Sequence, residues 1–342
     1  MHPISPSRIA LCAALALAAP TIWALPKHYH LTDLGPESQA ESISPRGRIA
    51  GQDARHGRFE AAVWIHAKAH DRPNPYDRAD AHGINDAGVA VGEVSNMFLK
   101  HAATWHGKEF TDLGVMLNLD FSTVTAINEM GDCAIDAETR TELNSFVVPG
   151  CAADSVPVKI GSLGGSGTFT AAINGRGEVA GTGAPPDSGV HAFLYSQGIT
   201  HDLGLLPGDT ESAARGINDL GHVVGGSALY PFLFRGFFYD GYVMHALGSF
   251  GGAHTGAFAI NNDDIVVGRS DIDQVGQFFH AFVVDAARDP GTLHDLGKML
   301  DKSGDGWSLE EAVAINDAGQ IIVHGFVHGD TNPRSALLTP VD

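Results

Sequence analysis

The chain writes one eleven-residue phrase several times. "AAINGRGEVAG" at 171–181 returns as "RGINDLGHVVG" at 215–225 and "FAINNDDIVVG" at 258–268. Aligning on the isoleucine before the turn places Ile43, Ile84, Ile127, Ile173, Ile217, Ile260 and Ile315 in register, at spacings of 41, 43, 46, 44, 43 and 55. A regular period of this length means one supersecondary unit per repeat, and about 40–45 residues suits a four-stranded propeller blade.

Each unit reads as four strands. The first is the apolar approach to Ile-Asn, as in "TAAIN", and the second is "EVAG" or "HVVG". The third is "HAFLY" at 191–195, "HAATW" at 101–105 or "HAFVV" at 280–284, and the fourth is "ITHDLG" at 199–204, echoed by "FTDLG" and "LHDLG". β-Branched and aromatic residues dominate these runs, and Gly or Asp bounds them. Asn174-Gly175-Arg176-Gly177 fits a three-residue hairpin loop, a type I turn followed by a left-handed residue. Glycine enters that conformation without steric cost. Gly88, Gly131, Gly177, Gly221 and Gly319 hold the place, and Asp264 replaces them once. The preceding Asn bonds its own turn, so the motif's most frequent polar residue is read as structural.

Seven sets of first-to-third strands follow an orphan fourth-type strand, "YHLTDLG" at 29–35, and the chain ends after a third-type strand, "SALLT" at 335–339. The simplest arrangement pairs the N-terminal strand with the last set, which removes both sheet edges. The expected fold is therefore an all-β propeller, most simply of seven four-stranded blades with the ring closed by the N-terminal strand. "HAKAHDRP" at 66–73 fits poorly as the fourth strand of the first blade. Six blades, or an open array, stay as alternatives.

The N-terminus reads as an export signal: Arg8, then the apolar "IALCAALALAA" at 9–19, then "TIWA" at 21–24 ending in a small residue. The apolar run is too short to span a bilayer, and no later segment could. The expectation is a signal peptide over 1–24 and a single repeat-built domain over 25–342, exported to the periplasm or beyond. Loss of Arg8 with the leader takes the net charge from −19 to −20. Such a balance argues against nucleic acid and anionic membrane surfaces as partners. Hydrophobic residues make up 44% and charged residues 18%, so a packed core is expected rather than disorder. Cys133 and Cys151 remain after cleavage, and an even pair in an oxidising compartment reads as one disulfide.

The triplet His-Ala-Phe at 191–193 and 280–282, its variant "HAA" at 101–103, and the "DLG" and "IN-x-x-G-x-V-x-G" elements resemble the HAF-repeat family, the probable extracellular repeat proteins of bacteria. The resemblance covers roughly 29–339. It implies export and a repeat-built β fold, and it carries no reaction and no catalytic residues.

His101 and Asp112 are eleven residues apart, as are His191 and Asp202, and His280 and Asp295 match them across a longer hairpin. Pairing Phe193 opposite Asp202 would put each His and Asp on one sheet face, where they can hydrogen-bond and lock a blade. Units that lose one partner lose both: Asn144 and Ser162 stand in one, Arg235 and Ala246 in another. "DKSGDGWSLEE" at 301–311 offers Asp301, Ser303 and Asp305 at alternate positions before a glycine, like the start of a calcium loop. The twelfth place, where a bidentate Glu belongs, is Ala312. No cofactor is otherwise implied.

No catalytic residues are assigned: G-x-S-x-G, H-E-x-x-H and the phosphate loop are all absent. The loops between second and third strands and between units vary: "APPDSGV" (184–190), "LLPGDTES" (205–212), "SFGGAHTG" (249–256) and 298–310. Recognition usually lives on variable loops of a rigid scaffold, and His254, Trp307 and His328 fall on or near that face. The expected function is an exported, monomeric, non-enzymatic protein that binds an extracellular protein or glycan there. The alternative is a carbohydrate-active propeller enzyme, a hydrolase or lyase using two carboxyl groups across the same mouth.

Overall fold

A computed structural model describes residues 25–341 apart from 56, 118, 120, 139–142, 187, 188, 230–232 and 274–277. The export-signal reading falls on 1–24 and lies outside the described residues.

The repeat folds into a four-stranded antiparallel unit. In one unit Thr168–Ile173, Val179–Gly183, His191–Ser196 and Ile199–Gly204 pair in that order. Phe193 stands opposite Asp202, the register needed to bring the His-Asp pair together. The described strands make five four-stranded sheets and one of eight, in which two four-stranded sets meet through the single pair Phe121 and Lys100. Helix is confined to Leu113–Met116 and three short 3-10 turns among the described residues. None of it is long and apolar enough to cross a membrane.

Two chain ends share one sheet. His28–Asp33 pairs antiparallel with Arg334–Val341, with Leu31 opposite Leu338. Ile321–Val327 and Trp307–Ile315 complete it. The stretch that fits poorly in the sequence does contain a strand, Lys68–Asp71, paired with Glu60–Ile65. Tertiary pairing overrides weak local propensity there.

The core lies between successive sheets. Phe193, Phe237 and Phe282 of the third strands are fully buried. Ala134 and Val147 of one unit pack with Ile173, Val179 and Phe193 of the next. Ala180 and Ala192 then pack with Ile217 and Phe237 of the unit after. Each sheet therefore completes its apolar face only against its neighbours.

The turn residues behave as their chemistry requires. Gly177 has φ +75°, and Asp264, the one non-glycine at that place, has φ +60°. Asn174 accepts from the backbone N–H groups of Arg176 and Glu178 in its own turn. Its Nδ2 also donates to the carbonyl oxygen of Asn218, one unit on, at 3.0 Å. This second, inter-unit bond is invisible to a local reading. It recurs from Asn85 to Asn128, Asn128 to Asn174, Asn218 to Asn261 and Asn261 to Asn316.

Cys133, the first residue of Cys133–Glu138, is bonded to Cys151 in the 3-10 turn Pro149–Cys151, with their Cα atoms 5.2 Å apart.

Candidate functional site

The first strand of each unit, the inner strand, slips register with its neighbour two residues before the repeat isoleucine, and Trp307–Ile315 slips a second time between Leu309 and Glu311. The breaks fall between Ala40 and Ser42, Ala81 and Gly83, Val124 and Ala126, and Thr170 and Ala172. They recur between Ala214 and Gly216, Ala257 and Ala259, and Ala312 and Ala314. The residues skipped are Glu41, His82, Thr125, Ala171, Arg215, Phe258 and Val313. A β-bulge re-aims the side chain it leaves unpaired. All seven line one cavity of about 960 Å³. The seven repeat isoleucines line a second, of about 240 Å³, together with the tight-turn asparagines. Because the bulges precede the isoleucines along each inner strand, the larger cavity lies toward the variable loops.

The glycine closing the "V-x-G" element has its reason at this bulge. A Cβ on Gly181 would stand 2.1 Å from the carbonyl oxygen of Phe169 in the inner strand.

Two ion-pair chains furnish the wall. In the first, His82 Nδ1 lies 2.8 Å from Glu41 and its Nε2 lies 3.8 Å from Glu93. Lys100 lies 2.5 Å from Glu93. Burial alone would push the His82 imidazole down, but the two flanking carboxylates overcome it and raise it to about 10. Burial likewise opposes ionisation of Glu93, yet bonds from His82, Lys100 and Thr123 take it down to about 2. In the second chain, His324 Nδ1 meets Glu311 Oε1 at 3.1 Å and its Nε2 meets the Ala40 carbonyl at 2.9 Å. Acceptors at both ring nitrogens require two N–H donors, so His324 is an imidazolium. Burial opposes that charge, but Glu311 and the carbonyl raise the group above its ordinary range. Glu311 is held low by His324 and by Arg269, whose guanidinium is 3.1 Å away.

The cavity therefore carries six cationic groups, Arg78, His82, Lys100, Arg215, Arg269 and His324, against Glu41, Asp80, Glu93 and Glu311. A chain with formal charge −19 concentrates net positive charge in this one cavity. A low-dielectric cleft with one excess sign focuses its field on incoming ligands. The carboxylates that shift, Glu93 and Glu311, shift down, which suits ionic contact and opposes a role as proton donor.

The residues singled out from sequence lie elsewhere. His101 and Asp112 are 3.0 Å apart, His191 and Asp202 2.9 Å, and His280 and Asp295 2.9 Å. These pairs sit on third and fourth strands, and none lines the axial cavity. Arg235, at the corresponding place in another unit, reaches Asp209 instead, at 2.7 Å. His254 borders a side pocket of about 420 Å³ that shares Arg215, Phe258 and Arg269 with the main cavity. Trp307 and His328 line neither: Trp307 pairs with Val327 at the strand ends, and His328 donates its N–H to Gly306.

Asp301, Ser303 and Asp305 lie in and beside the short 3-10 turn Lys302–Gly304. Asp301 Oδ1 caps the turn Lys302–Gly304 and its other oxygen meets His30 at 3.1 Å. Among the described residues no three His, Cys, Asp or Glu side chains are grouped to hold a metal. The seven bulge residues that share this cavity were missed. Their signal was the repeat position two before isoleucine, which differs in all seven units (Glu, His, Thr, Ala, Arg, Phe, Val) where the flanking positions are drawn only from Ala, Gly, Ser, Thr and Val.

No protein-family model and no curated protein matches the sequence. Solved structures do. The β-propeller domain of the Trilobed protease from Pyrococcus furiosus, described as having an open velcro topology, is similar over 93% of this chain and 97% of that one, with 10% identity and a TM-score of 0.55. A structure from a study of two prolyl endopeptidases matches 75% of this chain and 41% of its own, with 12% identity and a TM-score of 0.52. TolB from Acinetobacter baumannii matches 92% of this chain and 80% of its own, with 10% identity and a TM-score of 0.45. At these identities the likeness is one of fold, and the fold of this chain is that of a β-propeller.

Proposed function

We propose that this chain is an exported binding protein of the HAF-repeat type, which grips a protein or glycan partner at the loop-side mouth of its axial cavity. On this reading residues 25–342 form one propeller of seven four-stranded blades, closed by the pairing of His28–Asp33 with Arg334–Val341. The disulfide supports residence in an oxidising compartment.

One observation carries the assignment of the site. Seven equivalent bulges turn seven dissimilar residues onto a single cavity. A scaffold that varies this inward position while keeping the strands and tight turns around it similar separates folding from recognition. The carbohydrate-active alternative would use a carboxylic acid of raised pKa, whereas the carboxylates lining this cavity that shift, Glu93 and Glu311, are held low by their partners, and the raised Glu310 is not among its lining.

The test is a binding panel of soluble glycans and short peptides against the mature chain, its Ala171→Trp variant and a Gly175→Glu variant. The indole of Ala171→Trp would occupy the cavity from its wall. Binding lost in Ala171→Trp at unchanged melting temperature, and kept in Gly175→Glu on the tight-turn face, is the expected result. Binding indifferent to Ala171→Trp would move the site off the axis.

A further inference from the structure

We infer that Arg215 anchors a ligand bearing one carboxylate beside a large apolar group, the chemistry of a polypeptide C-terminus ending in an apolar residue. The inference rests on the channel-binding reading above and narrows it to one ligand class.

The neighbouring cations are already committed. Arg78 is 2.7 Å from Asp80, Lys100 2.5 Å from Glu93 and Arg269 3.1 Å from Glu311. Arg215 is exposed, and its guanidinium carbon lies 5.4 Å from the centroid of the Phe258 ring. Among the described residues no carboxylate pairs with it. A guanidinium resting on an aromatic face keeps its planar fork available for a carboxylate.

The surroundings choose the rest of the ligand. Arg215 stands where the axial cavity meets the side pocket of about 420 Å³. That pocket is walled by Phe234, His254, Phe258 and Phe279, and Arg269 rests 4.4 Å over the Phe279 ring. Its volume is in the range for small ligand sites, which suits one large side chain better than an extended glycan. A monoanion is favoured over a phosphate. Glu311, across Arg269, would repel a dianion more strongly, and the whole chain carries −19. Backbone carboxylate and apolar side chain occur together on one residue at a polypeptide C-terminus, and capture of such an end is an established recognition mode.

The experiment uses the peptide acetyl-Gly-Gly-Phe as free acid and as C-terminal amide, with fluorescence-detected binding to the mature chain. The free acid is expected to bind at least about tenfold more tightly than the amide. Arg215→Gln should abolish that preference at unchanged melting temperature, and Arg215→Lys should retain part of it. Phe279→Ala should weaken both forms together. Equal binding of acid and amide, or acid preference surviving in Arg215→Gln, overturns the inference. So does displacement of the peptide by inorganic phosphate at concentrations where acetate has no effect. If both forms bind equally and Ala171→Trp blocks them, the channel reading stands and the carboxylate anchor falls. If neither binds, the anchor falls, and the glycan and peptide panel decides the channel reading separately.

Discussion

Asn316 donates through Nδ2 to the carbonyl oxygen of Ser44, 3.1 Å away across 272 residues of chain. It makes to the first repeat the bond that each earlier motif Asn makes to the next. Ser44 stands where the other repeats carry Asn, and its hydroxyl turns to Asp86 at 2.6 Å instead. A run of side-chain bonds therefore links each tight turn that carries Asn to the turn of another unit.

Asn218→Ala cuts that run of bonds at a member with four side-chain bonds. Asn218 donates to the carbonyl of Asn261 and to Asp264 Oδ1, and accepts from the N–H groups of Leu220 and His222. Leaving several of these groups buried and unpaired should cost about 2–4 kcal/mol. Urea unfolding measures it, and a loss within error of zero would mean these bonds carry no stability.

The three His-Asp pairs should differ in worth according to burial. His101 and Asp112 are 11% and 14% exposed, and Tyr76 donates to the same carboxylate. His191 is 12% exposed but Asp202 is 41% exposed. We expect His101→Ala to cost about 1–2 kcal/mol. His191→Ala should cost less, about 0.5–1 kcal/mol. In each case the double variant lacking the Asp as well should lose little more. Additive losses would mean the partners do not interact.

Stability should fall as pH rises past neutrality, through His82. The imidazole titrates near 6.5 when unfolded and at about 10 in the fold. Below 6.5 both states hold the proton and the stabilisation is complete; it declines from there and is gone above about 10. Glu93, lowered from 4.5 to about 2, contributes fully above 4.5 and loses its contribution toward 2. Denaturant midpoints across pH 6–10 should show a decline that His82→Gln flattens. A decline of equal size in that variant would assign it to other groups.

Removing the disulfide through a Cys133→Ser, Cys151→Ser double variant opens a loop of 18 residues. The expected loss is about 3 kcal/mol. The oxidised parent, unfolded in denaturant, should show no reactive thiol from these two residues. Two titratable thiols there would contradict the pairing.

The architecture was legible because its causes are local and repeated. Apolar alternation before Ile173, the Asn-x-x-Gly turn after it and the His-Ala-Phe strand beyond are each a few residues long, and each recurs at a near-constant period. The Phe193–Asp202 register, supposed on the sequence so that His191 and Asp202 could meet, is the one the strands adopt. The site was not legible in that way. Trp307 and His328 drew attention as aromatic and titratable residues on variable loops, yet they do not reach the cavity. Asp301 drew attention as a metal ligand, and its carboxylate caps a turn beside His30. By itself the sequence determined the unit, its turns and its cysteine pair. Only the tertiary structure decided that Glu41, His82, Arg215 and Phe258 would meet. A bulge cannot be seen until two strands pair, and residues some forty positions apart become neighbours only when their sheets stand around one axis.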